Sequence, residues 1–339
     1  MKLLGYDFGL KKPPLIIAEI GSGHGGVPQQ AADLVYDAIR AGAGAVKIQT
    51  YTPDSMTINC GGPDFIVRDG PWRGRKLYDL YADAMTPREW HADLFQIARE
   101  GNVPIFSTPF SVDDVEFLEG LGCPAYKIAS AEINHFELLE AVRATKKPVI
   151  ISTGMASLAD VRAALDALYG RDVVILHCVS GYPTPIGEAN LWSIRNLQSH
   201  FPRHEIGFSD HTLANTAAIA AVAMGARVIE KHIGDRGSED DGFACRPERF
   251  RDFVRDVEQA WSAMQSEDPK SESSSMQMRR SVYAVENIKS GERFTRNNIK
   301  VIRPGYGLDP CEYSDIISSG SISRKDIDAG TAISRDMIE

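Results

Sequence analysis

The chain has 339 residues, 43% of them hydrophobic and 24% charged, which is enough apolar material for a large core. A net charge of -9 and an isoelectric point near 5.5 speak against nucleic acid or an anionic membrane as partner, so a small anionic substrate would need a local basic pocket. Five cysteines, an odd number with no CxxC pair, indicate neither a disulfide framework nor a structural zinc site and suit a reduced, cytoplasmic protein. The opening MKLLGYDFGLKKPP is too short in apolar residues for a signal peptide, and no run approaches the roughly 18 apolar residues of a membrane span.

From Leu15 onward, short β-rich runs alternate with helical patterns. The runs are Leu15 to Ile20, Ala45 to Tyr51, Pro104 to Phe110, Ala125 to Ser130, Pro148 to Thr153, Val173 to Cys178, the EIGFSD run from Glu205 and the RVIEKHI run to Ile233. Their near-continuous apolar character implies burial on both faces, as in a parallel sheet covered by helices. Eight such βα units predict an α/β protein, a (β/α)₈ TIM barrel over residues 1–265, with an open doubly wound sheet as the alternative. Pro28 marks the start of the first helix, Thr86-Pro87 caps a second with Gly101 as its stop, and the last helix ends near Met264. Residues 52–85 interrupt the pattern after a strand, so they are expected to hang over the C-terminal mouth as a lid, the alternative being a decorative insertion. A polar stretch makes 266–279 a linker, and 280–339, with matching turns at Lys289-Ser290-Gly291-Glu292 and Asp328-Ala329-Gly330-Thr331, a second small domain.

In such a barrel, catalytic groups come from the C-terminal ends of several strands. Those ends carry Glu19, Lys47, Gln49, Ser107, Thr108, Lys127, Ser130, Glu132, Ser152, Thr153, Ser180, Tyr182, Ser209, Asp210, His211, Glu230, Lys231 and His232. Lysines and hydroxyls around helix N-termini are what a phosphate or phospho-carboxylate requires. His211 and His232 end neighbouring runs, where imidazoles can hold a transition metal or simply be satisfied polar groups. His91, His135, His200 and His204 fall in helical or loop patterns and read as surface residues, whereas His24 and His177 lie near strand ends. Gly21, Gly23 and Gly26 fit GxGxxG, but the acid expected about 20 residues later is absent, so a dinucleotide site is not indicated.

At these residues the chain resembles the sialic acid synthase family. The ordered motifs are AEIGSGHGG, VKIQTY, FSTPF, AYKIAS, STGMA, HCVSGYPTP, GFSDHT and IEKHI, followed by RRSVYAV, IKSGE and IRPGYGL of its antifreeze-like (SAF) domain. The segment with KIQTYTPDSMTIN, GPWRGRKLYDLY and TPREWH is most similar to the pseudaminic-type branch. The resemblance implies a homodimer in which the antifreeze-like domain reaches across into the partner's site. It implies a divalent metal, Mn²⁺ first and Mg²⁺ or Co²⁺ as alternatives, on His211 and His232. Lys47, Lys127, Ser130, Ser152 and Ser209 would hold phosphoenolpyruvate. Glu19, Gln49, Ser180, Tyr182 and Asp240 would face an acetamido-deoxy sugar, Glu132 would sit beside the reacting carbons, and Arg303 would contact an acylamino group from the other subunit. Two departures stand out: Ser180 where neuraminate synthases have Asn, and a shortened loop after His232 with Glu239 where the family has Pro.

The activity this implies joins phosphoenolpyruvate to 2,4-diacetamido-2,4,6-trideoxy-L-altrose. A legionaminic or neuraminic precursor of the N-acetylmannosamine type is the runner-up. Readings of other classes are a non-catalytic sugar- or ice-binding protein and a metal-dependent isomerase or aldolase.

Overall fold

The computed structural model describes residues 1–9, 11–265 and 275–339. The chain divides into two compact units, 1–265 and 266–339. Most of the expected linker 266–279 therefore lies outside the described residues.

In the first unit a short hairpin (Lys2–Leu3 with Tyr6–Asp7) precedes eight parallel strands that close into a barrel. They are β1 (Leu15–Glu19), β2 (Ala45–Thr50), β3 (Ile105–Pro109), β4 (Tyr126–Ile128), β5 (Val149–Ser152), β6 (Val173–Cys178), β7 (Glu205–Asp210) and β8 (Val228–His232), with β8 pairing back onto β1. The expected TIM barrel is thus the observed one. Nearly every strand residue is buried, because the barrel interior takes one face of each strand and the helices cover the other.

The covering helices are α1 (Pro28–Ala41), α2 (Arg88–Glu100), α3 (Val112–Gly120), α4 (Phe136–Ala144), α5 (Leu158–Ala167), α6 (Trp192–His200), α7 (Thr216–Ala223) and α8 (Pro247–Ala263). Helix α1 shows the logic: Pro28 needs no amide partner at the first turn, Ala31, Leu34, Val35 and Ala38 form one buried stripe, and Gly42 closes the end with φ +96°. Gly101 ends α2 as expected, but Pro87 and not Thr86 occupies its N-cap. Thr86 is buried instead, its hydroxyl 3.2 Å from His24 Nε2.

His91 also departs from expectation, being fully buried and not on the surface. It shares the α2 face with Leu94, Phe95 and Ala98, a 3-4-7 spacing that marks the core side. Its Nδ1 donates to the Pro87 carbonyl at 3.0 Å, leaving Nε2 to accept from the Thr50 hydroxyl at 2.8 Å. Burial holds its pKa below the usual histidine value, so the neutral ring pins α2 to β2. His135 and His200 are exposed and His204 half-buried.

Segment 52–85 has structure of its own. A helical turn, Pro53–Met56, is capped reciprocally by Thr52 and Ser55. A small hairpin follows, closed by the Ile66–Lys76 bridge and by the Val67 amide donating to the Arg75 carbonyl, and then comes a helix, Leu77–Ala84.

In the second unit, β9 (Ser281–Ala284) pairs antiparallel with β10 (Ile299–Ile302), and α9 (Tyr313–Ser318) follows. Its core gathers Val282, Ile288, Phe294, Ile299, Ile316, Ile327 and Ile333. Gly291 and Gly330, at φ +81° and +87°, turn the chain at the two matching motifs.

Candidate active site

Strand alternation decides which rim residues meet. Register sets Glu19 beside Lys47 on one side and His232 on the other, and Glu230 beside Ser209. Residues of opposite parity turn outward. Lys231 and Asp210 therefore form their own buried ion pair at 3.0 Å, and Ser107 lies 2.6 Å from Thr50. Ser107, Asp210 and Lys231 were expected on the rim, but the pleat removes them from it.

The inward set lines a cavity of about 490 Å³, a usual size for a small-molecule site. On one side Lys47 Nζ lies 2.6 Å from Glu19 Oε2, 3.7 Å from Glu230 Oε2 and 3.1 Å from Thr108 Oγ1. Burial pulls the Lys47 ammonium toward neutrality, but Glu19 and Glu230 outweigh it and hold its pKa above the ordinary lysine value. Lys127 donates to Ser152 Oγ at 2.6 Å and to the Ile128 carbonyl at 3.1 Å. Its pKa is lowered because burial is only partly offset by Glu230. Ser130 donates to Ser152 at 2.9 Å and accepts from the Gly154 amide at 2.9 Å. A Cβ on Gly154 would fall 2.2 Å from Ser180 Oγ, so only glycine lets these hydroxyls share the corner. Ser209 donates to Glu230 at 2.8 Å, and two lysines keep that buried carboxylate well below its usual pKa although burial pushes it up.

Glu19 was expected to face the sugar. It is fully buried and does not line the cavity, because Lys47 covers one oxygen and Gln49 donates to the other at 2.8 Å. Asp240 does line it, yet both its oxygens are engaged by Ser22 and by His232 Nδ1, the latter at 2.9 Å. Gly21, at φ +48°, makes room for this arrangement: a Cβ there would lie 2.5 Å from Asp240 Oδ2. The glycine-rich stretch thus serves carboxylate packing and not a dinucleotide.

His211 and His232 stand with ring centroids 5.4 Å apart. His211 Nδ1 is 2.9 Å from the Val179 carbonyl, an obligate acceptor, and His232 Nδ1 faces the ionised Asp240. Both Nδ1 atoms therefore carry a hydrogen, as in carboxylate–histidine metal sites. Burial opposes the charged form of His232, but Asp240 outweighs it and holds the ring's pKa above the ordinary histidine value, so its Nε2 becomes a metal donor only as the second proton leaves. Burial lowers the His211 pKa to about 3, so its ring is neutral. The donor set fits a divalent transition metal. Among the described residues no group of three or more His, Cys, Asp or Glu is placed to hold a metal ion, so the two imidazoles are the protein donors on offer.

Glu132 sits across from Lys127 with Oε2 buried and without a hydrogen-bond partner. Burial raises its pKa to about 7, against the pull of Lys127. An aromatic collar surrounds the imidazoles. Tyr182 lies 4.4 Å from His211 and Phe243 lies 5.0 Å from His232, with Trp72 of the 52–85 segment packed beyond both at 5.9 and 6.3 Å. That segment is a lid and not a decoration: Met56, Val67, Trp72, Leu77 and Leu80 line the cavity.

A model of the NeuB family matches residues 34–269, and one of the SAF domain matches 279–339. The chain belongs to the NeuB family. It is 40% identical to a pseudaminic acid synthase of Campylobacter jejuni, over 96% of this chain and 97% of that protein. It is 38% identical to a pseudaminic acid synthase of Helicobacter pylori, over 97% and 98%. The N-acetylneuraminic acid synthetase of Leptospira borgpetersenii superposes with a TM-score of 0.69 at 29% identity, covering 78% of this chain and 90% of that one. The family is the one its ordered motifs indicate.

Within this NeuB-family site several contributors were not assigned from sequence. Thr108 stood on the rim without a role and accepts from Lys47. Trp72 and Phe243 come from loops whose composition says nothing of their destination. Glu239, in the shortened loop, receives Arg75 of the lid at 2.6 Å. His24 and His177 are buried outside the cavity, His177 stacked on Phe208. Arg303 is exposed directly after β10 in the second unit.

Proposed function

We propose that the protein is a pseudaminic acid synthase, condensing phosphoenolpyruvate with 2,4-diacetamido-2,4,6-trideoxy-L-altrose to give pseudaminic acid and phosphate. One observation carries this reading: a single cavity is lined both by the Lys47, Lys127, Ser130 and Ser152 group and by two imidazoles whose Nδ1 atoms are already engaged. Lysines and hydroxyls hold the phosphate and carboxylate, which fixes the nucleophilic carbon 3 of the enol against the sugar. When bound on His211 and His232, a divalent metal, manganese before magnesium or cobalt, would supply Lewis-acid polarisation of the aldehyde oxygen.

Attack of carbon 3 on the aldehyde carbon leaves cationic character on carbon 2. Glu132, poised near neutrality beside Lys127, faces that charge in its ionised form and can pass a proton in its neutral form. Water adds at carbon 2, and the carbon–oxygen bond to phosphate breaks. Gln49, Ser180 and Tyr182 line the same cavity and would face the sugar chain. The Asp240 carboxylate acts on the sugar through His232, whose ring it orients.

The same reading includes a domain-swapped homodimer, with Arg303 of one copy reaching an acylamino group in the other. It also includes a cytoplasmic location; among the described residues no helix is long and apolar enough to cross a membrane. The deciding experiment incubates the purified protein with Mn²⁺, phosphoenolpyruvate and the altrose, mannosamine-type and diacetamido-mannose-type sugars in parallel. Phosphate release and product mass are followed. Turnover restricted to the altrose supports the proposal, turnover of a mannosamine-type sugar alone replaces it with the neuraminate or legionaminate reading, and no release with any sugar favours a binding protein.

A further inference from the structure

The lid presents a nearly hydrocarbon wall to the cavity. Met56, Val67, Trp72, Leu77, Leu80 and Ala84 line it, and Tyr81 supplies the lid's one hydroxyl among the described lining residues. Trp72 marks the outer side of the site, because it packs on Tyr182 and Phe243, which in turn pack on His211 and His232. From the imidazoles the ring contacts lead outward through Tyr182 to Trp72, the direction in which a sugar held by its aldehyde at His211 and His232 would extend. Polar groups reach the cavity from the barrel and its loops, at Gln49, Ser180 and Asp240.

We propose that this lid wall selects the far end of the sugar, accepting a methyl group at carbon 6 and disfavouring a hydroxymethyl group there. The inference rests on the function proposed above and adds to it the residues that read deoxygenation. A hydroxyl buried against the alkyl side chains of the wall gives up its water and finds few partners in exchange, the Tyr81 hydroxyl and the Trp72 indole N–H being the polar groups that the described lid residues bring to the lining. A hydrophobic pocket rejects a substrate that merely adds a hydroxyl by on the order of 100-fold, which sets the scale of discrimination. Met56 and Trp72 are both half-buried, so polar or smaller residues can stand there without opening the barrel core.

The test compares kcat/KM for the trideoxy-altrose and for its 6-hydroxy counterpart, identical elsewhere, using the full chain with saturating phosphoenolpyruvate and Mn²⁺. The wild-type ratio should be on the order of 100 in favour of the deoxy sugar. Met56→Gln keeps the shape and supplies a donor and an acceptor, and Trp72→Ala admits water; either should lower the ratio about tenfold, with the KM for phosphoenolpyruvate unchanged. A wild-type ratio near unity, or an unchanged ratio in variants that melt like the wild type, overturns the wall. If Trp72→Ala does not fold, Met56→Gln decides alone. Failure of the wild type to release phosphate with the trideoxy sugar overturns the functional reading itself, whereas good turnover with an unaltered ratio overturns only the wall.

Discussion

Lys47 and Lys127 reach the cavity from barrel strands, whereas Trp72 reaches it from a lid that Arg75 latches to Glu239, and the two regions are held by different physics. The lysines are 5% exposed or less, with Nζ atoms 3.1 Å or closer to at least one fixed oxygen, on strands laddered to both neighbours. Arg75 is 32% exposed, and its partners Glu239 and Asp83 are 25% and 65% exposed. Charges fixed in a dry floor need no reorganisation when substrate arrives, which is where electrostatic catalysis is strongest. A roof tied by solvent-accessible bridges opens at little cost, as substrate entry requires. The floor is therefore expected to carry chemistry and the roof selection and access.

The sharpest way to break this contrast is on the floor side. His211→Ala removes one of two Nε2 donors, and metal-dependent product formation should vanish; full activity of that variant without metal would sink the assignment. Lys127→Met comes next. It deletes a buried cation that donates to Ser152, and kcat/KM for phosphoenolpyruvate should fall on the order of 100- to 1,000-fold, as for other preorganised donors. Lid substitutions of similar severity would erase the distinction between floor and roof.

The same contrast governs what could be read from sequence. The strands were legible because burial on both faces makes them continuous apolar runs, and the motifs at their ends placed Lys47, Lys127, Ser152, His211 and His232 on one rim. What failed there was parity: Lys231 and Asp210 sit one residue from Glu230, His232 and Ser209, and the pleat turns them out of the site. His91 was misjudged because a histidine in a helix passes for a surface group, although Leu94, Phe95 and Ala98 already marked its face as buried. The roof was illegible for a deeper reason. Arg75 meets Glu239 across 164 residues of chain, and no local pattern joins a lid hairpin to the loop after β8. Likewise nothing in the spacing says that Asp240 orients His232 through Nδ1.

Glu132 lies between the two regimes and gives an intermediate effect. Its folded pKa is raised from 4.5 to about 7 by burial, so the folded protein retains a proton that the unfolded chain has lost. The group therefore costs stability as pH rises through that window: nothing below 4.5, and above 7 a constant penalty of about 3 kcal/mol. Glu132→Gln should be more stable than the wild type by about that amount at pH 8 and equal to it near pH 4, as read by denaturant melts. Its activity should drop. Equal stability at both values would show that the carboxylate is solvated and that the floor extends less far than the burial of Oε2 suggests.

The smallest effect is expected at Arg75, and it bears most directly on the comparison. Arg75→Ala removes bridges to Glu239 at 2.6 Å and Asp83 at 2.5 Å, each of a kind worth about 0–1 kcal/mol when solvent reaches the partners. The melting temperature should barely move, while KM for the sugar should rise about twofold to fivefold as the lid is held less often over the cavity. Raising salt should bring the wild type toward the variant, since exposed charges are screened. kcat is the discriminating quantity. Glu239 immediately precedes Asp240, which holds the His232 ring, so a pull on the loop could reach the imidazole pair. An unchanged kcat means that Ser22 and the buried strands fix Asp240 independently of the lid. A fall in kcat of more than about tenfold, some 1.4 kcal/mol, means that the latch positions His232 as well, and that the roof belongs to the chemistry after all.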